Sequence, residues 1–520
     1  MPEKRILNSE VDEKLQALQS NANAARIISQ AIEGTIGPKG LDIMMVDGLG
    51  DVVISNDGVT ILKLMAANHP AAGMIINAAR AQQTEVGDGT TTATILAGAL
   101  VSEGASQVIK GVPVTRVIQG IKLGVDRSLE LMAKKSRPIS AIDDPVLFSV
   151  ASIAGRGQGD IAALIIDGAR IIGREKMLDP DYRFADAVVA KEAAASQVFM
   201  GTLINRDPLN HEMPHYLKDV RILVVDDALA PEEIDSEARS TEAGFQYYLQ
   251  NKKQYEANLR KICAMGVNLV LVDRSIDDLG EQIFTEAGVI AIHRVSRREL
   301  EKVCLHTGAR KIKRSGLNRP EEQLGGYLGH AARVQVNDKL GHTCLFEGTG
   351  EAQATVLIGA ATEEVVDEKE RIARDAAAAV QAALQQGVVP GGGAIEIWMA
   401  KQLEGLARDL KGMTSYGVLV VKESLLRPFA CIAANAGFNP LEKMGDVIAE
   451  QNQTGLDSIT IECDTGNLID AFVEGIVDPT LVKAHAIKTA GEVAVAILRI
   501  NTIIKMKDGE SYTQETLDKR

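Results

Sequence analysis

The order of helical and strand signals along this 520-residue chain constrains its fold most strongly. Apolar residues recur at helical spacing from Val11 to Glu33 and again through much of 71–135. Strand and helix signals alternate from Gly201 to Gly359, which is typical of an α/β module. The chain becomes helical once more after Glu363. Helical flanks around an inserted α/β module predict a multi-domain protein whose base domain is built from both ends of the chain.

Size, charge and composition narrow the possible classes of function. A chain of 520 residues is too long for one hydrophobic core, and roughly three domains is the natural expectation. Aromatic residues make up only 3% of the sequence and the formal net charge is -14, and both values argue against a nucleic-acid partner. The sequence contains no run of about 18 apolar residues, so no membrane span is expected.

The cysteines and the first residues indicate a reducing, cytoplasmic location. The cysteines are dispersed without a Cys-x-x-Cys pair, which predicts buried, reduced thiols and no disulfides. No apolar segment typical of a signal peptide follows the first residues. We therefore expect a cytoplasmic protein that contacts neither membrane nor nucleic acid. The cysteines are Cys263, Cys304, Cys344, Cys431 and Cys463.

The segment Gly87-Asp88-Gly89-Thr90-Thr91-Thr92 is the most informative short motif. Glycine lets the backbone approach a ligand closely, and the helix that follows offers unpaired N–H groups that bind phosphate. The Asp88 carboxylate would repel phosphate unless a hard cation such as Mg²⁺ lies between them. The motif therefore predicts a Mg²⁺–phosphate site. An ordinary turn before a threonine-capped helix explains these six residues equally well on their own.

Three further glycine-containing motifs each have a simple structural alternative. Gly37-Pro38-Lys39-Gly40 is a rigid turn after a helix, and it is not a Walker A loop. Asn56-Asp57-Gly58 is typical of a type I′ hairpin turn, and a functional Asp57 would have to lie near a phosphate or a water. Gly391-Gly392-Gly393 indicates either a flexible loop or a bare backbone surface on which a nucleotide base lies.

Two charged motifs have ordinary interpretations when they are taken alone. Asp375 follows Arg374 on an amphipathic helix, where a solvated charge is the common case. The segment His211-Glu212-Met213-Pro214-His215 matches the zinc-protease pattern, which requires a helix. Because Pro214 is incompatible with that helix, we expect these histidines to lie in a loop.

Together, the motifs resemble the chaperonin family over almost the whole chain. The polar segment Pro231–Met265 and the stretches 50–58 and 69–72 are most similar to the group II, thermosome-like type. Arg156 and the group I-like stretch 356–363 indicate a divergent branch such as the bacterial group III chaperonins. The motifs that carry the resemblance are, in order, 37–40, 56–58, 87–92, Asp375, 391–393 and Asp478-Pro479.

The resemblance implies a multi-domain α/β protein with the three-domain chaperonin fold. A mostly helical equatorial domain would comprise residues 1–140 and 398–520. A small α/β intermediate domain would comprise residues 141–200 and 355–397. The α/β apical domain would comprise residues 201–354 and carry a helical protrusion at about 230–265.

The resemblance also implies a nucleotide site assembled from distant parts of the sequence. Asp88 would bind Mg²⁺, and Asp57 and Asp375 would be the catalytic residues that orient the attacking water. Arg156 stands where group II proteins carry a lysine that senses the γ-phosphate. K⁺ is a further cation that the resemblance allows. The other contacts to ATP or ADP would come from Thr35, Gly37, Pro38, Gly58, Gly89, Thr90, Thr91, Thr92, Gly392 and Asp478.

The implied function is an ATPase coupled to protein folding. Identical or paralogous subunits would form a double ring that encloses unfolded protein clients, and ATP hydrolysis would drive closure and release. The built-in protrusion would close the cavity, so no separate co-chaperonin lid is expected. Two alternatives remain open. One is a non-hydrolysing holdase or filament-forming protein with the same fold, and the other is a metabolic ATP-dependent enzyme, for which we find no small-molecule pocket motif.

Overall fold

The computed structural model describes residues 3–48, 50, 52–232, 241–337 and 340–502. Its contacts divide the chain into two units, one formed by Met1–Ile139 with Gln386–Arg520 and the other by Ser140–Gln385. The first unit is therefore built from both ends of the chain. Among the described residues, no helix is both long enough and apolar enough to cross a membrane.

The N-terminal part of the first unit is mainly helical. Helix α1 (Glu3–Glu33) ends where the apolar periodicity ends, one residue before Gly34. Strands β1 (Ile43–Val46) and β2 (Val52–Ser55) pair as an antiparallel hairpin. Positions 49 and 51, between these two strands, lie outside the described residues. Four helices follow, namely α2 (Gly58–Leu64), α3 (Pro70–Glu85), α4 (Thr90–Ile109) and α5 (Val114–Lys135).

The second unit contains an eight-stranded mixed sheet, as the alternating strand and helix signals predict. Its strand order is β3-β10-β4-β9-β8-β5-β6-β7, and the pairs β3–β10, β5–β6 and β6–β7 are parallel. Strands β6 and β7 are buried along their whole length, as parallel strands covered on both faces usually are. The strands are β3 (Val188–Glu192), β4 (Gln197–Ile204), β5 (Tyr216–Val225), β6 (Leu269–Val272), β7 (Ile290–Ile292), β8 (Gly329–Asn337), β9 (His342–Gly348) and β10 (Ala354–Ala360).

The helices of this central region differ in how far they enter its core. Only the C-terminal half of helix α9 (Glu242–Ala264) enters the core, where it buries Tyr255, Leu259 and Ile262. Phe245 and Tyr247, near the start of the helix, are exposed. The helices are α6 (Pro145–Ala154), α7 (Gly159–Ile172), α8 (Arg174–Met177), α9 (Glu242–Ala264), α10 (Asp278–Glu286), α11 (Arg297–Thr307), α12 (Glu321–Gly325) and α13 (Glu363–Gln386). Short 3₁₀ helices span Phe184–Ala187 and Arg314–Asn318.

The chain then returns to the first unit and completes its core. Helix α4 lies at the centre of this unit, where it packs against α1, α3, α15 (Thr414–Asn435) and α17 (Thr480–Leu498). Residues 93–98 of α4 are all buried, so the helix is covered on every side. The returning elements are β11 (Val388–Pro390), α14 (Ala394–Asp409), α15 (Thr414–Asn435), α16 (Pro440–Thr454), β12 (Ile459–Ile461), β13 (Leu468–Asp470), β14 (Val477–Pro479) and α17 (Thr480–Leu498).

The three-domain division stays a prediction. Strands β4 and β10 run across the expected borders at 200/201 and 354/355, so one sheet continues through both. Residues 386–397, which we expected in the intermediate domain, lie in the first unit, where β11 pairs with β14. The expected protrusion at about 230–265 is described only in part, because residues 233–240 lie outside the described residues.

Two smaller expectations are met. The segment 211–215 forms turns and no helix, as Pro214 predicts. All five cysteines are free thiols. Cys344 and Cys431 are buried, but Cys263, Cys304 and Cys463 are partly exposed, so the expected burial is wrong for these three. Burial raises the pKa of the Cys344 thiol to about 12, which keeps this side chain protonated and unreactive.

Candidate nucleotide site

Helix α4 begins inside the 87–92 motif and leaves the N–H groups of its first turn without intrahelical acceptors. Gly89 is the N-cap residue and has a left-handed backbone with φ of 79°. A Cβ atom at this position would lie 2.6 Å from Cγ1 of Val482, so a larger residue does not fit. Since glycine has no side chain, it cannot cap the helix, and the N-terminus of α4 can receive an anion.

The Asp88 carboxylate lies beside this helix start. Its Oδ1 accepts a hydrogen bond of 2.6 Å from the Gly89 N–H. The side chain is partly accessible to solvent, yet the protein packed around it removes hydration and raises the pKa to about 6. The Gly89 hydrogen bond and Lys483 lower this pKa, and the charges of Asp478 and Asp57 raise it. Three carboxylates therefore share one region, which favours a cation there.

Asp57 begins helix α2 and does not turn a hairpin, so the type I′ interpretation is wrong. Its Oδ2 accepts hydrogen bonds from the Thr60 N–H at 2.9 Å and from the Thr60 hydroxyl at 2.7 Å. The next residue, Gly58, lets α2 approach α4, because a Cβ atom there would lie 2.7 Å from Oγ1 of Thr91. The N-termini of α2 and α4 are therefore adjacent, with Asp57 and Thr91 at their meeting point.

Asp478 reaches the same region from the far end of the sequence. It lies on β14 opposite Val389 of β11, an antiparallel pair that joins residues about ninety positions apart. A Cβ atom at Gly391 would lie 3.2 Å from Oδ2 of Asp478, so this glycine leaves the carboxylate accessible. The negative charge of Asp478 raises the pKa of Asp88, so the two carboxylates lie close enough to interact electrostatically.

The glycine turn 391–393 is packed and hydrogen-bonded. The Thr460 hydroxyl donates a hydrogen bond of 2.8 Å to the Gly392 carbonyl oxygen. A Cβ atom at Gly392 would lie 3.0 Å from this hydroxyl oxygen, and one at Gly393 would lie 2.7 Å from Cβ of Phe429. Of the two interpretations, the geometry favours a fixed, bare backbone surface over a flexible loop.

The 35–40 turn is fixed to helix α15. The Thr35 hydroxyl donates to the Ile32 carbonyl oxygen at 2.9 Å, and the Gly40 N–H donates to the Gly37 carbonyl oxygen at 3.0 Å. Asn435 of α15 donates hydrogen bonds of 2.9 Å to the carbonyl oxygens of Glu33 and Ile36. These bonds hold the backbone around Pro38 in one conformation.

Asp375 and Arg156 lie together in the second unit. Asp375 is on helix α13, and its side chain is mostly buried, with a contact of 3.3 Å to Arg371 Nη1. Arg371 also pairs with Glu368, which in turn accepts from Arg156 at 3.1 Å. Arg156 has a left-handed backbone with φ of 56°. The ordinary interpretation of Asp375 as a solvated surface charge is therefore wrong, because it belongs to an ion-pair chain.

Three residues of the region were not expected from the sequence. Gln82, fully buried on α3, donates to the Asp88 carbonyl oxygen at 2.7 Å and to the Val482 carbonyl oxygen at 3.1 Å. Lys483 lies 3.0 Å from Oδ2 of Asp478 and 2.6 Å from Oε1 of Glu396. The sequence signal that could have pointed to Glu396 is its position as a lone charge within the apolar run 394–400. Gln82 carries no such signal.

The donor set fits a cation bound together with phosphate. Mg²⁺ in proteins is usually held by one or two carboxylates together with phosphate oxygens and water. Asp88 supplies a carboxylate, and the uncapped start of α4 supplies N–H donors for phosphate. Within the described part of the chain, no cluster of three metal-binding side chains forms an all-protein cage. The residues present therefore suit a magnesium nucleotide better than an isolated metal ion.

The chain is similar to known proteins over most of its length. The sequence model of the TCP-1/cpn60 chaperonin family matches residues 28–508. A thermosome subunit of Pyrococcus abyssi is 32% identical over 517 residues, covering 95% of this chain and 93% of that protein. A thermosome subunit beta of Archaeoglobus fulgidus is 34% identical over 509 residues, covering 94% and 92%. A crystal structure of a group III chaperonin in the open state is 47% identical with a TM-score of 0.88, covering 95% of this chain and 100% of that one.

The resemblance drawn from the ordered motifs is thereby confirmed. The family match and the thermosome relatives each cover nearly the whole chain, and the solved structure shares its fold. The protein therefore belongs to the TCP-1/cpn60 chaperonin family, as a thermosome-like chaperonin subunit.

Proposed function

We propose that this chaperonin hydrolyses ATP to enclose unfolded proteins in a double-ring cavity. The observation that carries the proposal is the convergence of Asp57, Asp88 and Asp478 at the adjacent N-termini of α2 and α4. Such a cluster of negative charge beside the uncapped, anion-binding start of α4 suits a phosphate chain neutralised by Mg²⁺. Family membership supports nucleotide use and a chaperone function.

Each residue of the first unit has a defined role in this proposal. Asp88 binds the cation, and Gly89 with the N–H and hydroxyl groups of 90–92 binds phosphate oxygens. Gly58 leaves room beside these groups, Asp478 accepts a ribose hydroxyl, and the backbone at Gly392 contacts the nucleotide. When bound, Mg²⁺ supplies stabilisation of the charge that develops on the phosphoryl oxygens. The turn containing Thr35, Gly37 and Pro38 packs beside the nucleotide, and K⁺ is proposed as a second cation.

Asp57 and Asp375 are proposed to orient the attacking water. A carboxylate is a weak base at neutral pH, so its contribution is to hold water in line with the phosphate more than to remove its proton. Asp375 lies in the second unit. Its proposed role would therefore couple hydrolysis to the conformation of that unit.

Arg156 is proposed to sense the γ-phosphate from the same ion-pair chain. Its present partner is Glu368, which it shares with Arg371, the neighbour of Asp375. If Arg156 moved from Glu368 to a phosphate, the Glu368 carboxylate would remain paired with Arg371. Arginine suits this exchange because its guanidinium binds carboxylate and phosphate with the same fork geometry.

The second unit is proposed to bind clients and to close the cavity. Phe245, Tyr247 and Leu249 expose large apolar side chains on the first half of α9, within the expected protrusion. The second half of α9 belongs to the core, so the closing element is confined to the part before Tyr255. Enclosure would prevent aggregation of clients that expose hydrophobic surface.

The proposal is tested by replacing Asp375 with alanine. We expect Asp375→Ala to bind ATP with unchanged affinity, because Asp375 is proposed to orient water and not to hold the nucleotide, and to lose about 10²-fold or more in kcat. Equilibrium titration with ATP and a steady-state phosphate-release assay measure the two quantities. Asp367→Ala, an exposed residue of the same helix, is the control.

Near-normal turnover by Asp375→Ala would contradict the catalytic role. Absence of ATP hydrolysis by the unmodified protein would instead favour the non-hydrolysing holdase or filament alternative.

A further inference from the structure

The first turn of helix α17 contacts the proposed nucleotide site at several points. The Val482 carbonyl oxygen accepts from Gln82, the residue that also binds the Asp88 carbonyl oxygen. The Val482 side chain covers Gly89, since a Cβ atom there would lie 2.6 Å away. The next residue, Lys483, forms an ion pair with Asp478.

Lys483 joins two carboxylates that lie on different elements. Its Nζ lies 3.0 Å from Oδ2 of Asp478 on β14 and 2.6 Å from Oε1 of Glu396 on α14. The Lys483 side chain is 12% exposed and that of Glu396 is 1% exposed, so water competes little for these contacts. Charge-assisted hydrogen bonds of this kind are short and hold their partners in one geometry.

Glu396 explains why a lysine can remain charged here. Burial alone would lower the pKa of Lys483, but the attraction of Asp478 and Glu396 outweighs burial and raises it. Glu396 Oε2 is buried and has no hydrogen-bond partner among the described residues, so Lys483 is its principal source of compensation. Glu396 can therefore keep the Lys483 ammonium group charged and in contact with Asp478 in the absence of any ligand.

We infer that Lys483, anchored by Glu396, is a positioning residue that orients the Asp478 carboxylate toward the nucleotide ribose. The inference rests on the proposed function, in which Asp478 accepts a ribose hydroxyl. Because Lys483 occupies Oδ2 of Asp478, the other oxygen, Oδ1, is the one presented to the ribose. Lys483 also lowers the pKa of Asp88, an effect that acts on every Mg²⁺-nucleotide alike. The positioning effect is the additional loss of affinity for ligands that carry the ribose hydroxyl groups.

The test compares two variants that differ only in Lys483. Lys483→Met alone would leave Glu396 as an uncompensated buried charge and could unfold the protein. The design therefore uses Glu396→Gln as the reference, in which Lys483 still holds Asp478, and the double variant Lys483→Met/Glu396→Gln, in which Asp478 is released. Asp478→Asn shows how much nucleotide affinity is lost when the carboxylate itself is removed. Ring assembly of each full-length variant is checked by light scattering.

Isothermal titration with Mg²⁺-ADP and with Mg²⁺-2′,3′-dideoxy-ADP is the measurement. We expect the double variant to bind ADP about tenfold more weakly than Glu396→Gln, the loss that one misplaced hydrogen bond causes. The loss of affinity for dideoxy-ADP, which reports only the general effect of the Lys483 charge on Asp88, should be clearly smaller than the loss for ADP. Asp478→Asn should show the same selective loss for ADP.

Two results would overturn the inference while leaving the ribose contact of Asp478 in place. One is equal ADP affinity of the double variant and Glu396→Gln when Asp478→Asn is weakened. The other is an equal loss for ADP and dideoxy-ADP, which would show that Lys483 supports the site only in general. If Asp478→Asn binds ADP normally, the ribose assignment in the proposed function is wrong, and the inference fails with it.

Discussion

At the scale of single residues, the site depends on positions where the backbone approaches other atoms closely. Gly89 has a left-handed backbone, and a Cβ atom added there would lie only 2.6 Å from Cγ1 of Val482. The sequence motif predicts a glycine-dependent helix start at this position, and the structure shows why. It also shows what the motif omits, because Gln82 fixes the backbone carbonyl of Asp88 from a different helix.

Gly89→Ala should destabilise the first unit and weaken nucleotide binding. The left-handed conformation and the contact with Val482 together predict a loss of about 1–3 kcal/mol in the free energy of unfolding. Gly73→Ala is the matched control, since this position lies within helix α3 with no atom within 4 Å of the added Cβ. The control should be stabilised by about 0.5–1 kcal/mol. Urea denaturation measures both, and equal behaviour of the two variants would contradict the steric account.

At the scale of elements, sequence periodicity predicts long helices well and short strands poorly. The spacing of apolar residues in α1 and the alternation around β5 to β7 are strong because each pattern repeats several times. Strands β11 and β14 have three residues each and exist only because they pair with each other. The hairpin interpretation of Asn56-Asp57-Gly58 is wrong because the same three residues suit either a hairpin turn or the N-cap of a helix. Only the helix that follows distinguishes the two.

The contact between helix α11 and strand β9 should make the second unit sensitive to acid. His306 is fully buried, its Nε2 accepts from the Gly348 N–H at 2.9 Å, and its Nδ1–H therefore donates to the Glu351 carbonyl oxygen at 3.3 Å. Burial lowers the pKa of His306 below 6.5, so the folded protein binds this proton less readily than the unfolded chain. The contribution to stability is therefore complete above pH 6.5 and is lost as the pH falls from 6.5 toward the folded-state pKa.

This pH dependence can be measured by urea denaturation between pH 7.5 and pH 5. The free energy of unfolding should decrease with falling pH, and His306→Asn should flatten the decrease while lowering stability at pH 7.5. An unchanged slope in His306→Asn would show that other groups cause the acid sensitivity. His293 and His342 also have pKa values lowered by burial, so part of the slope should persist in the variant.

At the scale of the whole molecule, the order of motifs predicts more than any motif does alone. Asp57 and Asp88 lie before the inserted α/β region, and Asp478 lies after it. The structure brings these residues into the unit built from both chain ends, as a shared site requires. The pairing partners inside the site, such as Lys483 with Glu396, could not be predicted because they depend on side-chain packing between α14 and α17. Asp375 belongs to the second unit, and its role in hydrolysis remains part of the proposal.

The central claim is that ATP bound in the first unit drives enclosure of a client by the second. It is tested most directly by proteinase K protection of acid-denatured green fluorescent protein, with and without ATP. The decisive variant replaces Phe245, Tyr247 and Leu249 with serine, and the control replaces the exposed polar residues Gln246, Gln250 and Lys253 of the same helix. We predict ATP-dependent protection in the unmodified protein and the control, and none in the apolar variant despite a normal ATPase rate. Protection without ATP, or equal protection in the apolar variant, would contradict the account.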